Sequence, residues 1–307
     1  MAYTAADVKT LREMTGVGMM DCKKALEASD GDMEKAVEFL REKGLAVAQK
    51  KSGRAATEGI AYAAVYDGIG VAVEVNAESD FVAANELFSE YVHSVAEVVA
   101  KDNPSDLDAL YACKYPGSDK TVQEVQNDKI MVIGENIKIR RFTRYDSGVS
   151  VPYVHMGGKI GVIVNLDTSC AADNEVVIEL GKDLAMQVAA MNPTFLDKAD
   201  VDTATIEKEK QILTIQAKED PKNANKPDNI IEKMVMGRIS KYYKENCLLQ
   251  QDYVKGEAGE SVEKHVSDVA KAAGCTIKVV SFTRYEKGEG LEKATADLAA
   301  DVAALVK

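Results

Sequence analysis

Apolar side chains recur at the three- and four-residue spacing of a helix through the first part of the chain. Two glycine-containing breaks, at 15–18 and at 30–31, divide this stretch into three predicted short helices. Asp32 is a suitable N-cap for the third helix, and Lys43-Gly44 predicts its end, because a basic last turn is followed there by glycine. The polar and basic residues 49–54 are predicted to form a linker.

Short apolar or alternating runs, which are typical of strands, follow this region. One pair of runs surrounds Asp67-Gly68 and another surrounds Gly157-Gly158, and each pair predicts a β-hairpin. Each hairpin is followed by a predicted helix and later by a predicted strand. The predicted helices are 80–101, 174–191 and 261–273, and the predicted strands are 136–145 and 276–285. No helix is predicted in the Pro- and Gly-containing stretch between 102 and 135.

The two hairpin regions also share residues. Phe142-Thr143-Arg144-Tyr145 recurs as Phe282-Thr283-Arg284-Tyr285, and Ile69-Gly70-Val71 matches Ile160-Gly161-Val162. Because these identities occur in the same hairpin, helix and strand order, we infer two related α/β subdomains. Each is predicted to be a small antiparallel sheet backed by helices.

The second copy contains an inserted segment with helical periodicity. Helices are predicted over 203–218 and 229–244, with Pro221 and Pro227 around the turn between them. This antiparallel helical hairpin has little core of its own and should pack on the body of the protein or on a second molecule. The alanine-rich residues 289–307 predict a C-terminal helix with one apolar stripe.

The predicted fold class is therefore α+β. The chain is divided into five predicted units: a three-helix domain with its linker (1–55), the first core subdomain (56–148), the second core subdomain (149–191 plus 248–287), the helical hairpin (192–247) and a C-terminal helical module (288–307).

The net charge of the chain limits the classes of molecule that it is expected to bind. The 307 residues contain 38 Lys and Arg against 50 Asp and Glu, which gives a formal net charge of −12. This balance disfavours general binding to nucleic acid or to an anionic membrane. No apolar run reaches the about 18 residues that a membrane-spanning helix needs, and residues 1–14 show no apolar signal core.

Cysteine and histidine usage does not indicate an active site. The five cysteines, at 22, 113, 170, 247 and 275, lack metal-site or redox spacing and are expected to be free thiols in a reducing cytosol. His93, His155 and His265 are far apart in the sequence, and each is better explained as a surface or half-buried residue than as a metal ligand. No nucleophile elbow, phosphate-binding loop or dinucleotide fingerprint is present.

Apolar residues in unusual places are the stronger signal. Met19-Met20 opens a helix after a glycine turn, and only one of the two side chains can easily face the three-helix core. The pair either packs in the core or forms an adaptable contact surface, for which methionine is well suited. Ser79-Asp80-Phe81-Val82 begins the helix that follows the first hairpin. Ser79 or Asp80 can cap this helix, but capping does not explain Phe81.

Two further short segments lie at predicted turns beside strands. They are Ile133-Gly134 and His155-Met156-Gly157-Gly158. Turns that contain glycine are common, so neither segment indicates a function by itself.

These segments together resemble a known family, translation elongation factor Ts. Residues 11–26 read LREMTGVGMMDCKKAL and closely resemble its N-terminal signature, and residues 74–83 resemble its second signature, with Ser79 in place of the usual threonine. Segments 133–137, 231–238 and 288–290 also resemble the family. The matches run in order over almost the whole chain.

The resemblance implies a guanine-nucleotide exchange factor for elongation factor Tu, acting in the cytoplasm without bond chemistry of its own. It implies a ubiquitin-associated-like three-helix domain, a core of two subdomains, a helical hairpin and a C-terminal helix. It implies no cofactor, because the GDP and magnesium belong to the partner. From the net charge and the lack of a long apolar run, we expect no direct contact with nucleic acid or membrane.

The resemblance also assigns contact residues. Arg12, Met19, Met20 and Lys23 would contact a helix of the partner's nucleotide-binding domain, and Ser79, Asp80, Phe81 and Val82 would disturb its magnesium site. Ile133, Gly134 and His155 would border the same contact, and Val254 would contact another partner domain. The chain departs from the family at Asp252-Tyr253, which replaces a usual Pro-Phe, and at Leu298, which replaces a common phenylalanine.

Three alternatives remain open from the residues. The chain is an exchange factor, an adaptor whose three-helix domain binds peptide or ubiquitin-like partners, or an enzyme with a cleft between its subdomains. An adaptor would not need an exposed Asp80-Phe81, and an enzyme would need clustered polar side chains between the subdomains. The helical hairpin would form a homodimer or a 2:2 complex, pack on its own core, or touch the partner.

Overall fold

The computed structural model describes residues 3–223 and 226–292. Its helices are α1 (Ala5–Thr15), α2 (Met19–Ala28), α3 (Met33–Lys51), α4 (Asp80–Ala83), α5 (Glu86–Asp102), α6 (Leu107–Ala112), α7 (Val122–Ile133), α8 (Glu175–Met191), α9 (Thr203–Glu219), α10 (Asp228–Asn246) and α11 (Val262–Ala273). Its strands are β1 (Glu58–Tyr66), β2 (Ile69–Ala77), β3 (Lys138–Tyr145), β4 (Val149–His155), β5 (Ile160–Thr168) and β6 (Ile277–Glu286).

The strands form two antiparallel three-stranded sheets, β1-β2-β3 and β4-β5-β6, so the predicted α+β fold is confirmed. The two sheets share their irregularities as well as their order. A bulge lies between Glu74 and Val75 of β2 and again between Asn165 and Leu166 of β5. The division into five units and the likeness of the first three helices to a ubiquitin-associated domain stay predictions.

The two sheets approach each other closely through small residues. The Ala61 N–H donates to the Gly158 carbonyl at 2.8 Å, and a Cβ at Gly161 would lie 2.9 Å from the Ala61 carbonyl oxygen. The recurring tetrapeptides meet here, because Thr143 Oγ1 lies 2.5 Å from the Tyr285 hydroxyl and the Tyr145 hydroxyl lies 2.8 Å from Thr283 Oγ1. The repeat detected in the sequence therefore forms a reciprocal contact between the copies.

The third helix does not end at Gly44, as predicted, but continues to Lys51. Gly44 is buried where α3 packs on α7, and a Cβ there would lie 3.6 Å from Met131 Sδ. Gly44 therefore lies inside the helix, at its contact with α7, and does not end it. Lys51, expected in a linker, donates to the Gly134 carbonyl at the end of α7.

One other helix prediction was wrong. The predicted helix over 80–101 is two helices, because Asn85 leaves the helix after α4 and caps α5 by accepting the Leu87 N–H at 2.9 Å. The stretch between 102 and 135, for which no element was predicted, contains α6 and α7. A capping box between Thr121 and Glu124 starts α7, so a local sequence signal for this helix was present.

The prediction of five free thiols was also wrong. Cys170 and Cys275 form a disulfide across 105 residues of sequence, because antiparallel pairing of β5 with β6 brings Thr168 opposite Ile277. Cys22, Cys113 and Cys247 are free. Burial raises the pKa of the Cys247 thiol to about 11, so it is protonated at neutral pH.

A buried carboxylate ties the end of the described chain to the first sheet. Glu74 on β2 is fully buried and accepts from Arg140 Nη1 at 3.0 Å, Arg141 Nε at 2.6 Å and the Gly288 N–H at 2.8 Å. Arg140 also donates to the Glu289 carbonyl at 2.6 Å. A C-terminal helix was predicted over 289–307, but residues 287–290 form a turn, so the helix does not begin at Glu289. The rest of that prediction, over 293–307, lies outside the described residues.

We expect Glu74→Ala to lower the free energy of unfolding by about 3–5 kcal/mol, since it leaves two guanidinium groups without their buried partner. Urea unfolding followed by circular dichroism measures the change. Glu90→Ala removes an exposed glutamate from α5 and serves as the control, with a change within about 0.5 kcal/mol. Equal losses for the two variants would show that the Glu74 network does not stabilise the fold.

Candidate protein-binding site

The first turn of α4 presents an aromatic side chain to solvent. Ser79 caps the helix, with its Oγ accepting the Val82 N–H at 3.4 Å, so the helix start predicted from the sequence is present. Val82 is buried in the first core, whereas the Phe81 side chain is 84% exposed. Asp80 is also exposed, at a helix end where a negative charge is favourable. The buried and exposed neighbours together hold Phe81 outward.

Two glutamates connect this turn to the end of α7. Glu135 accepts from the Ser79 N–H at 2.9 Å and from Ser79 Oγ at 2.6 Å. Glu78 in turn accepts the Asn136 N–H at 2.6 Å. These hydrogen bonds place Gly134, with its φ of +85°, beside the Phe81 turn. Ile133, next to it, is half-buried against the first core.

The hairpin that contains His155 lies at the same end of the first sheet. Gly158 packs against Ile60, which pairs with Val75 just before β2 leaves the sheet toward Phe81. His155 is half-buried, and its Nδ1 lies 2.9 Å from the Tyr153 hydroxyl. Met156, at the tip, is 71% exposed. The contact between the sheets thus brings this hairpin and the Phe81 turn to one end of the molecule.

The start of α2 is near the end of α7. A Cβ at Gly16 would lie 3.9 Å from Val132 on α7. Val17 is buried in the three-helix core, while Met19 and Met20 are 48% and 64% exposed. Both methionines are therefore on the surface, which decides between the two alternatives left open by the sequence. Arg12 and Lys23 are exposed on the neighbouring turns of α1 and α2.

Val254 stands apart from this group. It is 51% exposed on the loop before α11, and its N–H donates to Gln187 Oε1 of α8 at 3.0 Å. Among the described residues, no hydrogen bond or ion pair joins Val254 to the segments around Phe81, Gly134 or His155. Tyr253 uses the hydroxyl that the usual phenylalanine lacks to donate to Asp183 at 2.9 Å, and burial, together with this bond, raises its pKa.

The described part of the chain contains no group of three or more His, Cys, Asp or Glu side chains arranged to hold a metal ion. His93 packs on the Tyr62 ring and His265 stacks on the Tyr253 ring, with centroid distances of 4.3 and 3.9 Å. A cavity of about 860 Å³ between α11 and β6 contains none of the candidate residues. Within residues 3–223 and 226–292, no helix has the length and apolar character needed to cross a membrane.

The residues that support the site were missed in the sequence. Glu135 holds Ser79, and Glu78 accepts the Asn136 N–H beside it, yet in the sequence these residues are only acidic and amide side chains next to turns. The available signal was the spacing within the repeat, which places Glu135 and Cys275 at equal distances before the recurring tetrapeptide.

The architecture defines a class of α+β proteins with a duplicated core, an N-terminal three-helix region and an inserted helical hairpin. The family model described as Elongation factor TS matches residues 78–289. Similar curated proteins include elongation factor Ts of Clostridium perfringens (strain SM101 / Type A), 50% identical over 304 residues, covering 98% of this chain and 98% of that protein. Elongation factor Ts of Trichlorobacter lovleyi is 47% identical over 311 residues, with 99% and 98% covered, and that of Magnetococcus marinus is 47% identical over 309 residues, with both chains fully covered (100%).

The chain therefore belongs to the elongation factor Ts family, and the resemblance inferred from its motifs is confirmed. Membership assigns it to translation elongation.

The double variant Met19→Ser/Met20→Ser should change the free energy of unfolding by no more than about 0.5 kcal/mol per site, because both side chains are already in solvent. Leu26→Ala, in the same helix and fully buried, should cost about 2–5 kcal/mol. Thermal and urea unfolding of the full chain measure both. A loss for the methionine variant as large as that of Leu26→Ala would place the pair in the core.

Proposed function

We propose that this protein is a guanine-nucleotide exchange factor that acts on elongation factor Tu. The observation that carries the proposal is the exposed Phe81 side chain, held on a capped turn whose neighbour Val82 is anchored in the core. A large aromatic group exposed at a fixed position is typical of a contact residue. Family membership supports the choice of partner.

Exchange requires no bond chemistry in this chain. A factor that binds the nucleotide-free partner more tightly than the nucleotide-bound partner must weaken nucleotide binding by the same ratio. The factor therefore needs a rigid element that fits one partner conformation and clashes with the other. The Phe81 turn supplies such an element.

The target of Phe81 is the partner's magnesium site. Magnesium requires near-octahedral coordination, so displacement of the partner side chains around it lowers its affinity. Loss of the ion leaves the diphosphate charge less neutralised, and GDP dissociates faster. Ser79 holds the turn, Asp80 adds negative charge near the site, and Val82 anchors the turn from below. Ile133, Gly134 and His155 line the adjacent contact.

The N-terminal helices provide a second contact with the partner. Met19 and Met20 are exposed and flexible, and suit docking against a helix of the partner. Arg12 and Lys23 lie on the rim, where positive charge steers an acidic surface. Val254, exposed on the loop before α11, contacts a different partner domain. The net charge of −12 disfavours direct binding to nucleic acid, and we place the reaction in the cytoplasm.

Phe81→Ala should slow the release of GDP from elongation factor Tu by at least about tenfold relative to the unchanged chain, since removal of an aromatic anchor costs about 2 kcal/mol or more. Stopped-flow fluorescence with a labelled GDP analogue measures the rate. Val280→Ala is the control, because it truncates another exposed apolar side chain, on β6.

Each result has a distinct meaning for this proposal. Acceleration by the unchanged chain and by Val280→Ala, but not by Phe81→Ala, supports both exchange and the role of Phe81. Acceleration that is unaffected by Phe81→Ala would retain exchange and reject the wedge. No acceleration by the unchanged chain with its cognate partner would reject exchange and favour the adaptor.

We further propose that the helical hairpin mediates assembly, as a homodimer or a 2:2 complex with the partner. Helices α9 and α10 share a small core that includes Ala217, Ile231 and Val235. Ile215 and Met236 on the same helices are 57% and 55% exposed. Two helices with so little shared core gain stability from a further contact of this kind.

Sedimentation velocity tests this assembly. The unchanged chain should sediment as a dimer alone or as a 2:2 complex with the partner, and Ile215→Glu should shift it to the lighter species, because a charge would be buried at the contact. Leu45→Glu, a matched change at an exposed site of α3, should leave the distribution unchanged. Identical sedimentation of all three chains as monomers and 1:1 complexes would reject the proposal.

A further inference from the structure

The clamp that holds the Phe81 turn has a structural equivalent in the second copy of the fold. Ser79 lies as many residues after the bulge of β2 as Cys170 lies after the bulge of β5. Glu135 lies as many residues before the Phe-Thr-Arg-Tyr tetrapeptide of β3 as Cys275 lies before the same tetrapeptide of β6. The Ser79–Glu135 hydrogen bonds and the Cys170–Cys275 disulfide therefore occupy the same place in the two copies.

A second connection is repeated beside the first. In the first copy, the Glu78 side chain accepts the Asn136 N–H at 2.6 Å. In the second copy, Ser169 Oγ accepts the Thr276 N–H at 3.0 Å, at the corresponding positions. Each copy thus joins the exit of its middle strand to the entry of its third strand through two adjacent side-chain links.

The location explains why such links are needed. The middle strand and the third strand are far apart in sequence but end side by side, and the chain leaves the sheet there toward separate helices. Without a link, the two segments would be held less firmly, because the first ladder ends at Asn76 and Lys138 and the second copy adds one further backbone bond, from the Ser169 N–H to the Thr276 carbonyl at 3.1 Å. A disulfide closes the edge covalently in the second copy, and a bidentate carboxylate closes it in the first.

The two links differ in what they support. Beyond Cys170 the chain leads to α8, whose N-cap is Asn174. Beyond Ser79 the chain leads directly to the exposed Phe81. The hydroxyl and the N–H that Glu135 holds belong to the residue that caps this turn, so the carboxylate restrains the backbone two residues before Phe81.

We propose that Glu135 is a positioning residue for nucleotide exchange, which holds the Phe81 turn in its binding conformation before the partner arrives. This inference rests on the exchange function proposed above. A segment that is already ordered loses less conformational entropy on binding. If the turn were released, only a fraction of molecules would be competent, and the apparent affinity for the partner would fall by that fraction.

Glu135→Ala tests the inference, because an effect on binding to the partner can be distinguished from an effect on the maximal rate of GDP release. We expect the concentration of factor needed for half-maximal GDP release to rise by about tenfold, with the maximal rate nearly retained, because saturating partner restores the competent conformation. Phe81→Ala should instead lower the maximal rate. Glu90→Ala is the matched control and should change neither quantity.

The disulfide of the second copy suggests a variant that should restore the link lost in Glu135→Ala. In the variant Ser79→Cys/Glu135→Cys, a disulfide at the position equivalent to Cys170–Cys275 should give a lower half-maximal concentration than the same variant has with both thiols reduced. Reduction of that disulfide should raise it again. The unchanged chain, treated with the same reductant, accounts for any effect of opening Cys170–Cys275, and peptide mapping by mass spectrometry verifies the pairing. This variant also provides the test if Glu135→Ala does not fold.

Hydrogen exchange of the free protein separates this inference from the exchange function, because it does not require the partner. The amides of residues 79–83 should exchange faster in Glu135→Ala and regain protection in the oxidised double-cysteine variant. Unchanged protection and unchanged half-maximal concentration in Glu135→Ala would overturn the role of Glu135. Failure of the unchanged chain to release GDP would reject the exchange function, while the protection data would still show whether the clamp orders the turn.

Discussion

Gly161 lies against the backbone of Ala61 where the two sheets meet, and a Cβ at that glycine would come within 2.9 Å of the Ala61 carbonyl oxygen. The short distance allows a backbone hydrogen bond between the copies and the reciprocal contacts of the Thr and Tyr hydroxyls. The rest of the site depends on this contact, because it brings the His155 hairpin of one copy to the end of the sheet from which Phe81 emerges in the other. Close packing of small residues thus assembles a surface that neither copy contains alone.

The two copies share their backbone arrangement, but different side-chain types form the link at equivalent positions. The bulge, the tetrapeptide and the pair of links recur at equivalent positions, yet a carboxylate in one copy corresponds to a cysteine in the other. The requirement is geometric, since two chain segments must be held together at a sheet edge, and several side-chain types can meet it. In the first copy the link lies next to the exposed Phe81, so one turn contains both a residue that stabilises the fold and the residue proposed to contact the partner.

Buried charge has a related role where residues 287–290, near the end of the described chain, meet the first sheet. Glu74 has no solvent exposure, and it joins Arg140 and Arg141 of β3 to the Gly288 backbone that follows β6. A buried carboxylate is tolerated only when it is fully paired, and this requirement makes the arrangement specific. The first sheet is therefore connected to the second copy by polar contacts as well as by apolar packing.

The sequence alone was sufficient for the family and for most of the elements, although α6 and α7 were not predicted and 80–101 was predicted as a single helix. Helical periodicity, glycine turns and recurring tetrapeptides predicted the three N-terminal helices, both hairpins, the inserted helical hairpin and the duplicated α+β core, because these signals are local. Motifs in order along the chain identified the elongation factor Ts family. Only the tertiary structure decided that Gly44 lies inside a helix, that Cys170 meets Cys275, that Met19 and Met20 both face solvent, and that Glu135 holds Ser79. Each of these depends on residues distant in sequence that meet only after the sheets and helices have packed, and no local pattern records which distant residue will be the neighbour.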